Sequence, residues 1–303
     1  MMNAIPLPEH VLITGGTGFI GGHLVAALVA RGVAVTVLSR SSQDAQAGVS
    51  YIRSLQDFVA PEGRSAVVNL AGEPLNSGRW NASRKAQFRD SRVNMTRDLV
   101  AWINAQAHAP ETLVSGSAVG WYGHRGDEIL TEVSEGPPGY SHQLCSDWEA
   151  AAQTGLSDAT RLCLLRTGVV LGTDGGPLPE MLGPARVGLG GPLGSGQQWW
   201  SWIHVTDLVS MILWLLENPS CNGVFNGTAP EPLRQAEFAR VLGKTLHRPA
   251  FIPLPAPVAR LMLGEFAEEI LLNGQRVEPA RVQAHGFQFE FPSLAPALTD
   301  LLG

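Results

Sequence analysis

Short apolar runs recur along the chain at 11–14, 33–38, 65–70, 112–117 and 161–166, and each gives way to glycines or small polar residues and then to a helical pattern. Continuous runs of this length read as buried strands, and apolar residues three and four apart read as helices packed against them. Alternation of the two predicts right-handed βαβ crossovers and a parallel sheet covered on both faces. The fold class expected is therefore α/β, a doubly wound parallel-sheet domain of the Rossmann kind. Ligands of such sheets bind beyond the carboxyl ends of the strands. The informative residues are those just past each run: Gly15 to Gly21, Ser39-Arg40, Leu70-Ala71-Gly72, Ser115-Gly116-Ser117 and Thr167 to Val170.

The texture changes near residue 172. TDGGPLPEMLGPARVGLGGPLGSGQQ is dense in Gly and Pro and too long for an ordinary connection, which marks it as a lid or binding loop. The pattern Leu208, Met211, Ile212 and Leu215 then predicts a helix capped by Thr206 or Asp207. Past 227 the chain breaks into short helices between prolines, followed by the alternation Phe287-x-Phe289-x-Phe291 and a last helix carrying Leu294, Leu298 and Leu301. Residues 10–171 with 204–226 are thus expected to form the nucleotide-binding domain. Residues 172–203 with 227–303 are expected to form a smaller, mostly helical substrate lobe.

The sharpest single stretch is VLITGGTGFIG, with glycines spaced Gly15-x-x-Gly18-x-x-Gly21 between a strand and a helix. The turn needs positive φ, a pyrophosphate needs a backbone without Cβ atoms, and the helix must lie close to the strand. The helix N-terminus then faces the anion with unpaired N–H groups. Gly15, Gly16, Thr17, Gly18, Phe19, Ile20 and Gly21 are therefore candidate dinucleotide contacts. No Gly-Lys-Ser/Thr follows, so the loop is not of the nucleoside-triphosphate kind. An NAD-selective site places an acidic residue about 20 residues past the glycines. Here the second strand runs out into Ser39-Arg40-Ser41-Ser42, which suits a 2′-phosphate and predicts NADP(H). The alternative for Arg40 is a solvated loop arginine.

Three further positions stand out. On a helix read from Ala82 to His108, Arg92 shares the apolar stripe of Phe88, Met95, Leu99 and Trp102. An inward charge needs a partner, either a ligand phosphate or an internal carboxylate, unless the side chain snorkels outward. Ser117 and Tyr122 lie where a nicotinamide ring would sit, and a hydroxyl there can polarise a carbonyl or relay a proton. Both are candidate catalytic groups; the plainer reading of Ser117 is a turn residue. Trp199, Trp200 and Trp202 beside Gln197 and Gln198 read either as a ligand-stacking surface or as packing between lobes.

Composition narrows the class. The chain has 303 residues and a net charge of −6, which with no long basic cluster argues against nucleic acid. The first nine residues lack a signal-peptide pattern, and no apolar stretch approaches the ~20 residues of a membrane span. Cys145, Cys163 and Cys221 are too few and scattered for a disulfide framework or a metal site. The expectation is a cytoplasmic protein with a small-molecule substrate and no metal.

GGTGFIG, VVNLAGEPL, SGSAVGWYG, LCSDWEAAA, LLRTGVVLG, GLGGPLGSG, SWIHVTDL and GQRVEPAR together resemble the extended short-chain dehydrogenase/reductases, within them the NAD-dependent epimerase/dehydratase-like group. The resemblance spans nearly the whole chain. It implies NADP(H), with Gly15 to Gly21 on the pyrophosphate, Ser39-Arg40 on the 2′-phosphate, Leu70 and Ala71 along the adenine and ribose, Arg92 near the cofactor and Val170 at the nicotinamide; Ser115, at its strand end, is a further candidate cofactor contact. The catalytic Tyr-x-x-x-Lys of those enzymes is absent. Anchored on Glu149, Ser141 takes the tyrosine position and Cys145 the lysine position; shifted by one, Tyr140 is present but Leu144 replaces lysine. A tyrosine of pKa ~10 cannot move protons near neutrality without that lysine. Other groups such as Ser117, Tyr122, Cys145 or His204 could act, substrate could supply its own activation, or the protein binds NADP(H) without turnover. Two functions follow: an NADP(H)-dependent oxidoreductase/epimerase acting on a carbonyl or hydroxyl carbon of a small, sugar-like substrate, or a non-catalytic NADP(H)-binding, redox-sensing module.

Overall fold

The computed structural model describes residues 5–303, so the reading of the first nine residues falls in part outside the described chain. Its centre is a seven-stranded sheet built from β1 (His10–Thr14), β2 (Ala34–Leu38), β3 (Val49–Ile52), β4 (Ser65–Asn69), β5 (Thr112–Ala118), β6 (Arg161–Thr167) and β7 (Gly223–Gly227). The order is β7-β6-β5-β4-β1-β2-β3, and every pairing is parallel. The order reverses at β1, so the crevice between β1 and β4 opens at the switch point where such sheets hold ligands. Thr14 there stands opposite both Leu38 and Asn69.

The five predicted strands are present. The two the pattern missed are edge-side: β3, VSYI, interleaves polar residues, and β7, GVFNG, is enclosed by glycines. Alternate residues feed two cores, as the period of a strand requires. Val11, Ile13, Val35 and Val37 pack with Leu24 and Leu28 of α1 (Phe19–Ala30), and with Leu208, Met211 and Leu215 of the helix Val205–Glu217. Leu12, Val67 and Leu113 face Leu99, Val100 and Ile103 of α2 (Ala82–Asn104) on the other side. Each such buried side chain contributes about 1.5–3 kcal/mol. The α2 helix stops four residues short of His108, because the Gln106 side chain turns back to Trp102 O and accepts from Ala60 N.

Residues 172–203 are more structured than a loop, holding the helix Leu178–Arg186 and two short strands, Trp199–Trp200 and Trp202–His204. Trp200 and Trp202 join Leu171, Phe238, Leu242, Phe291 and Leu298 in a separate core, while Trp199 remains half-buried. The helix Val205–Glu217 is capped by His204, whose Nδ1 accepts from Thr206 N, and not by Thr206 or Asp207. Asp207 instead is buried and accepts from the backbone N–H groups of Glu290 and Phe291 at 2.8 and 2.9 Å. The phenylalanine alternation forms no strand: Phe291 is itself anchored to Asp207 and buried, and Phe287 is buried with the core of the sheet. Among the described residues no helix is long and apolar enough to cross a membrane.

Candidate functional site

The glycine turn is built by close approach. Gly15 has φ +73°, and a Cβ there would lie 2.6 Å from Leu70 O at the end of β4. A Cβ on Gly16 would meet Val37 at 2.8 Å, and one on Gly21 would run into the Gly15 carbonyl. Gly18 N donates back to Gly15 O at 3.0 Å, and Gly18 is the N-cap of α1 without a side-chain cap, so the first N–H groups of that helix face the crevice unoccupied by any side chain. A diphosphate fits such a cradle by both space and charge. Thr17 is exposed at its rim, and Ile20 is half-buried beneath it.

Phe19 is held from the other side. It fills a socket formed by Gly172, Gly175 and Gly176, where a Cβ on Gly172 would stand 2.5 Å from the ring. His23 Nε2 lies 3.0 Å from both carboxylate oxygens of Asp174, which straps the 172–176 segment over the start of α1 and holds the Asp174 carboxyl below its usual range. Val170, in the strand Val169–Leu171 just before the strap, is nearly buried.

At the end of β2, Ser39 is buried and its Oγ donates to Ser41 O, while Gln43 Nε2 donates to Ser39 Oγ and Ser41 Oγ. The turn is thus fixed by its own hydroxyls. Arg40 leaves it almost fully exposed, 94% accessible, with one carboxylate at 3.6 Å, that of Glu73. A guanidinium so placed is free to meet a phosphoryl group.

A buried polar ladder runs under the crevice. Thr14 Oγ1 donates to Asn69 Oδ1 at 2.6 Å, and Asn69 Nδ2 donates to Thr96 Oγ1 and Ser115 Oγ. Thr96 Oγ1 also accepts from Trp148 Nε1. The ladder ties β1, β4 and β5 to α2 and to α3 (Tyr140–Gln153), and it places Leu70 and Ala71, whose N donates to Thr14 Oγ1, along the crevice floor. Ser115 is a buried rung of it. Arg92 sits above: its guanidinium stacks 5.3 Å from the Trp148 ring, donates to Phe88 O, and lies against Gly72, where a Cβ would be 2.9 Å from Cζ. Burial lowers its pKa from the usual arginine value, and among the described residues no carboxylate forms an ion pair with it. The internal partner anticipated as one alternative is not there.

Ser117 and Tyr122 belong to a second, closed network. Ser117 Oγ donates to Glu149 Oε1 at 2.6 Å, Arg166 binds both Glu149 oxygens at 2.8 and 2.9 Å, and Arg166 also donates to the Tyr122 hydroxyl. Tyr122 donates to Asn226 Oδ1 at 2.7 Å and has no exposed surface; burial pushes its pKa up to about 12. It keeps its proton at neutral pH and offers a ligand no face in this conformation. Sequence reasoning found the two hydroxyls but not their partners, since Arg166 looks like one more residue of an apolar strand.

Of the groups at the start of α3, Cys145 is buried with its thiol pushed up to about 11, chiefly by burial, and its Sγ points to Ala118 O at 3.6 Å, which suits no nucleophile. His204 is committed to its cap, lies 3.4 Å from Asp300, and has its pKa lowered by burial. Ser141 Oγ donates to Glu269 Oε2 at 2.6 Å, a partner contributed from 128 residues away. Among the described residues no cluster of His, Cys, Asp and Glu is arranged to hold a metal.

Residues 11–226 match the model of the NAD dependent epimerase/dehydratase family, and residues 254–301 match DUF1731, a domain of unknown function. The chain is 40% identical over 304 residues to the epimerase family protein SDR39U1 of Homo sapiens, covering 97% of this chain and 99% of that one. It is 41% identical over 303 residues to a chloroplastic SDR39U1 homolog of Arabidopsis thaliana, covering 96% and 86%. The crystal structure of the human SDR39U1 (isoform2) with NADPH aligns with a TM-score of 0.90 at 39% identity, over 96% of this chain and 98% of that one. A nucleoside-diphosphate sugar epimerase from Corynebacterium glutamicum aligns with a TM-score of 0.78 at 32% identity, over 100% of this chain and 59% of that one. The chain belongs to the NAD dependent epimerase/dehydratase family.

Proposed function

We propose, taking that membership as the premise, that the protein is an NADP(H)-dependent oxidoreductase or epimerase acting at a carbonyl or hydroxyl carbon of a small substrate in a reducing, cytoplasmic setting. The carrying observation is the pairing of a Cβ-free cradle at Gly15, Gly16, Gly18 and Gly21 with an exposed arginine at the end of β2. In this reading the turn from Gly15 through Thr17, Phe19 and Ile20 to Gly21 holds the pyrophosphate, and Ser39 shapes the loop from which Arg40 meets the 2′-phosphate. Leu70 and Ala71 floor the adenosine, Ser115 holds that floor from beneath, Arg92 approaches the inner phosphate or ribose, and Val170 packs on the nicotinamide. The bound nicotinamide would supply hydride chemistry. Residues 10–171 with 204–226 carry that site, and 172–203 with 227–303 close over the substrate.

NADPH bound to the human relative supports the choice of coenzyme. The three cysteines, all free and buried, accord with a reducing compartment. Ser117 and Tyr122 act in this reading through Glu149 and Arg166, as the rigid base of the site. The experiment is a pair of fluorescence titrations with NADPH and NADH, followed by incubation with pooled carbonyl metabolites and nucleotide sugars in deuterated water. Absorbance reads net oxidation, and solvent deuterium reads redox-neutral epimerisation. Tight NADPH binding with neither signal would favour a redox-sensing module, a reading supported by the sealed Ser117–Tyr122 network. Equal or absent binding of the two coenzymes would defeat both.

A further inference from the structure

The segment around 264–272 lies within the part of the chain matched by the domain of unknown function, yet it is seated against the first turn of α3. Phe266 packs 6.0 Å from Trp80, which also meets Tyr140 at 5.3 Å. Lys85 lies 2.5 Å from Glu265 and 4.4 Å over the Tyr140 ring. Beside these, Ser141 donates to Glu269 at 2.6 Å. Ser141 faces the residues just past the end of β5, since a Cβ on Gly120 would lie 3.3 Å from Ser141 Cβ and 3.6 Å from Cys145 Sγ. Arg92 packs on the same helix from α2, its guanidinium 5.3 Å from the Trp148 ring.

We propose that Ser141 and Glu269 form a proton relay, Ser141 Oγ being the catalytic group that touches the substrate oxygen and Glu269 the positioning residue that takes or returns its proton. This rests on the nicotinamide reading above. Of the nearby carboxylates, Glu149 is locked by Arg166 and Glu73 faces Arg40, which leaves Glu269 as the one bonded to a hydroxyl at the helix start. A serine hydroxyl alone is too weak an acid or base, but a charge-assisted bond of this length to a carboxylate lets the proton pass through it. In the oxidative direction the substrate C–H bond breaks and its electron pair leaves as hydride to the oxidised nicotinamide dinucleotide. The substrate O–H proton goes to Ser141 Oγ as the Ser141 proton goes to Glu269, and the carbon–oxygen double bond forms. Carbonyl reduction runs the same steps backward. The C-terminal segment is on this account part of the chemistry.

The test uses the full chain, NADPH and 4-nitrobenzaldehyde as the probe. Ser141→Ala and Glu269→Gln should each lower the reduction rate by about 100-fold, with the NADPH dissociation constant unchanged within about twofold. The double variant should be no slower than either single one, because the two act as a unit. Formate should restore Glu269→Ala in part, which a merely structural role would not allow. Independently of turnover, the Glu269 carboxyl 13C resonance, assigned by its loss in Glu269→Gln, should move when NADP+ replaces NADPH. A wild type that binds NADPH but leaves the aldehyde unreduced, variants at wild-type rate, or a resonance indifferent to the charge of the ring overturns the relay while the cofactor reading stands. Failure to bind NADPH removes that reading and the relay with it.

Discussion

The glycine turn and the start of α3 are made differently. The first is backbone: a window from Gly15 to Gly21, pressed against Leu70 and Val37, with no side chain required to touch a ligand. The second is side chains from separate segments, with Arg92 on α2, Tyr140 and Ser141 on α3, and Glu265 and Glu269 from the C-terminal region. A backbone site has few ways to vary, because a Cβ at Gly15, Gly16 or Gly21 collides. A side-chain site can be built from whichever segments pack there, and here Tyr-x-x-x-Lys is absent while the glycine turn is present.

The comparison can be broken at either end. The largest effect is expected beneath the side-chain face: Glu149→Gln strands the buried Arg166 and should cost about 3–5 kcal/mol of unfolding free energy, read by urea denaturation. A loss under 1 kcal/mol would mean the network is not the rigid base it resembles. On the backbone face, Gly21→Ala should weaken NADPH binding at least ~100-fold, close to 2.7 kcal/mol, and binding at wild-type strength would show that the cradle is not the diphosphate site. Arg40→Ala should cost about tenfold in NADPH affinity and leave NADH untouched; a matched loss for both coenzymes would detach Arg40 from the 2′-phosphate.

The smallest effect concerns the strap over the start of α1. Asp174 is depressed by its bond to His23, so its contribution is complete above the unfolded carboxyl value of 3.8 and is lost as pH falls through the lower folded value. Being exposed, the pair is worth about 0.5 kcal/mol. His23→Ala should lower stability by that amount at pH 5, and the gap should close towards pH 3; a gap that widens between pH 5 and pH 3 would show that the pair does not hold the strap.

What could be read from the chain divides along the same line. The sheet, the glycine turn and the serine-arginine loop were visible because each depends on neighbours in sequence: strand period, absence of Cβ, and a hydroxyl turn at a strand end. Arg92 announced itself as a charge on an apolar stripe, but its surroundings did not, since Trp148 and Gly72 come from elsewhere. Ser117 and Tyr122 stand out by position, while Glu149, Arg166 and Asn226, which decide what their hydroxyls can do, stand 32, 44 and 104 residues off. Nothing local to Glu269 distinguishes it from Glu268, whose side chain binds Arg260. The helix cap at His204 was missed for a subtler reason: Thr206 and Asp207 are the better capping types, but Asp207 is drawn into the interior by Glu290 and Phe291.

That last arrangement limits how the molecule can be cut. The Asp207 carboxylate is satisfied by two amides from near the end of the chain, and burial raises its pKa. A version ending before Glu290 would take both of these donors away from a helix that supports the sheet itself. The C-terminal residues are therefore tied to the body of the fold: a chain ending before Glu290 would lose both donors to Asp207 together with the core side chains Phe291, Leu294 and Leu298, and should be less stable than the full chain.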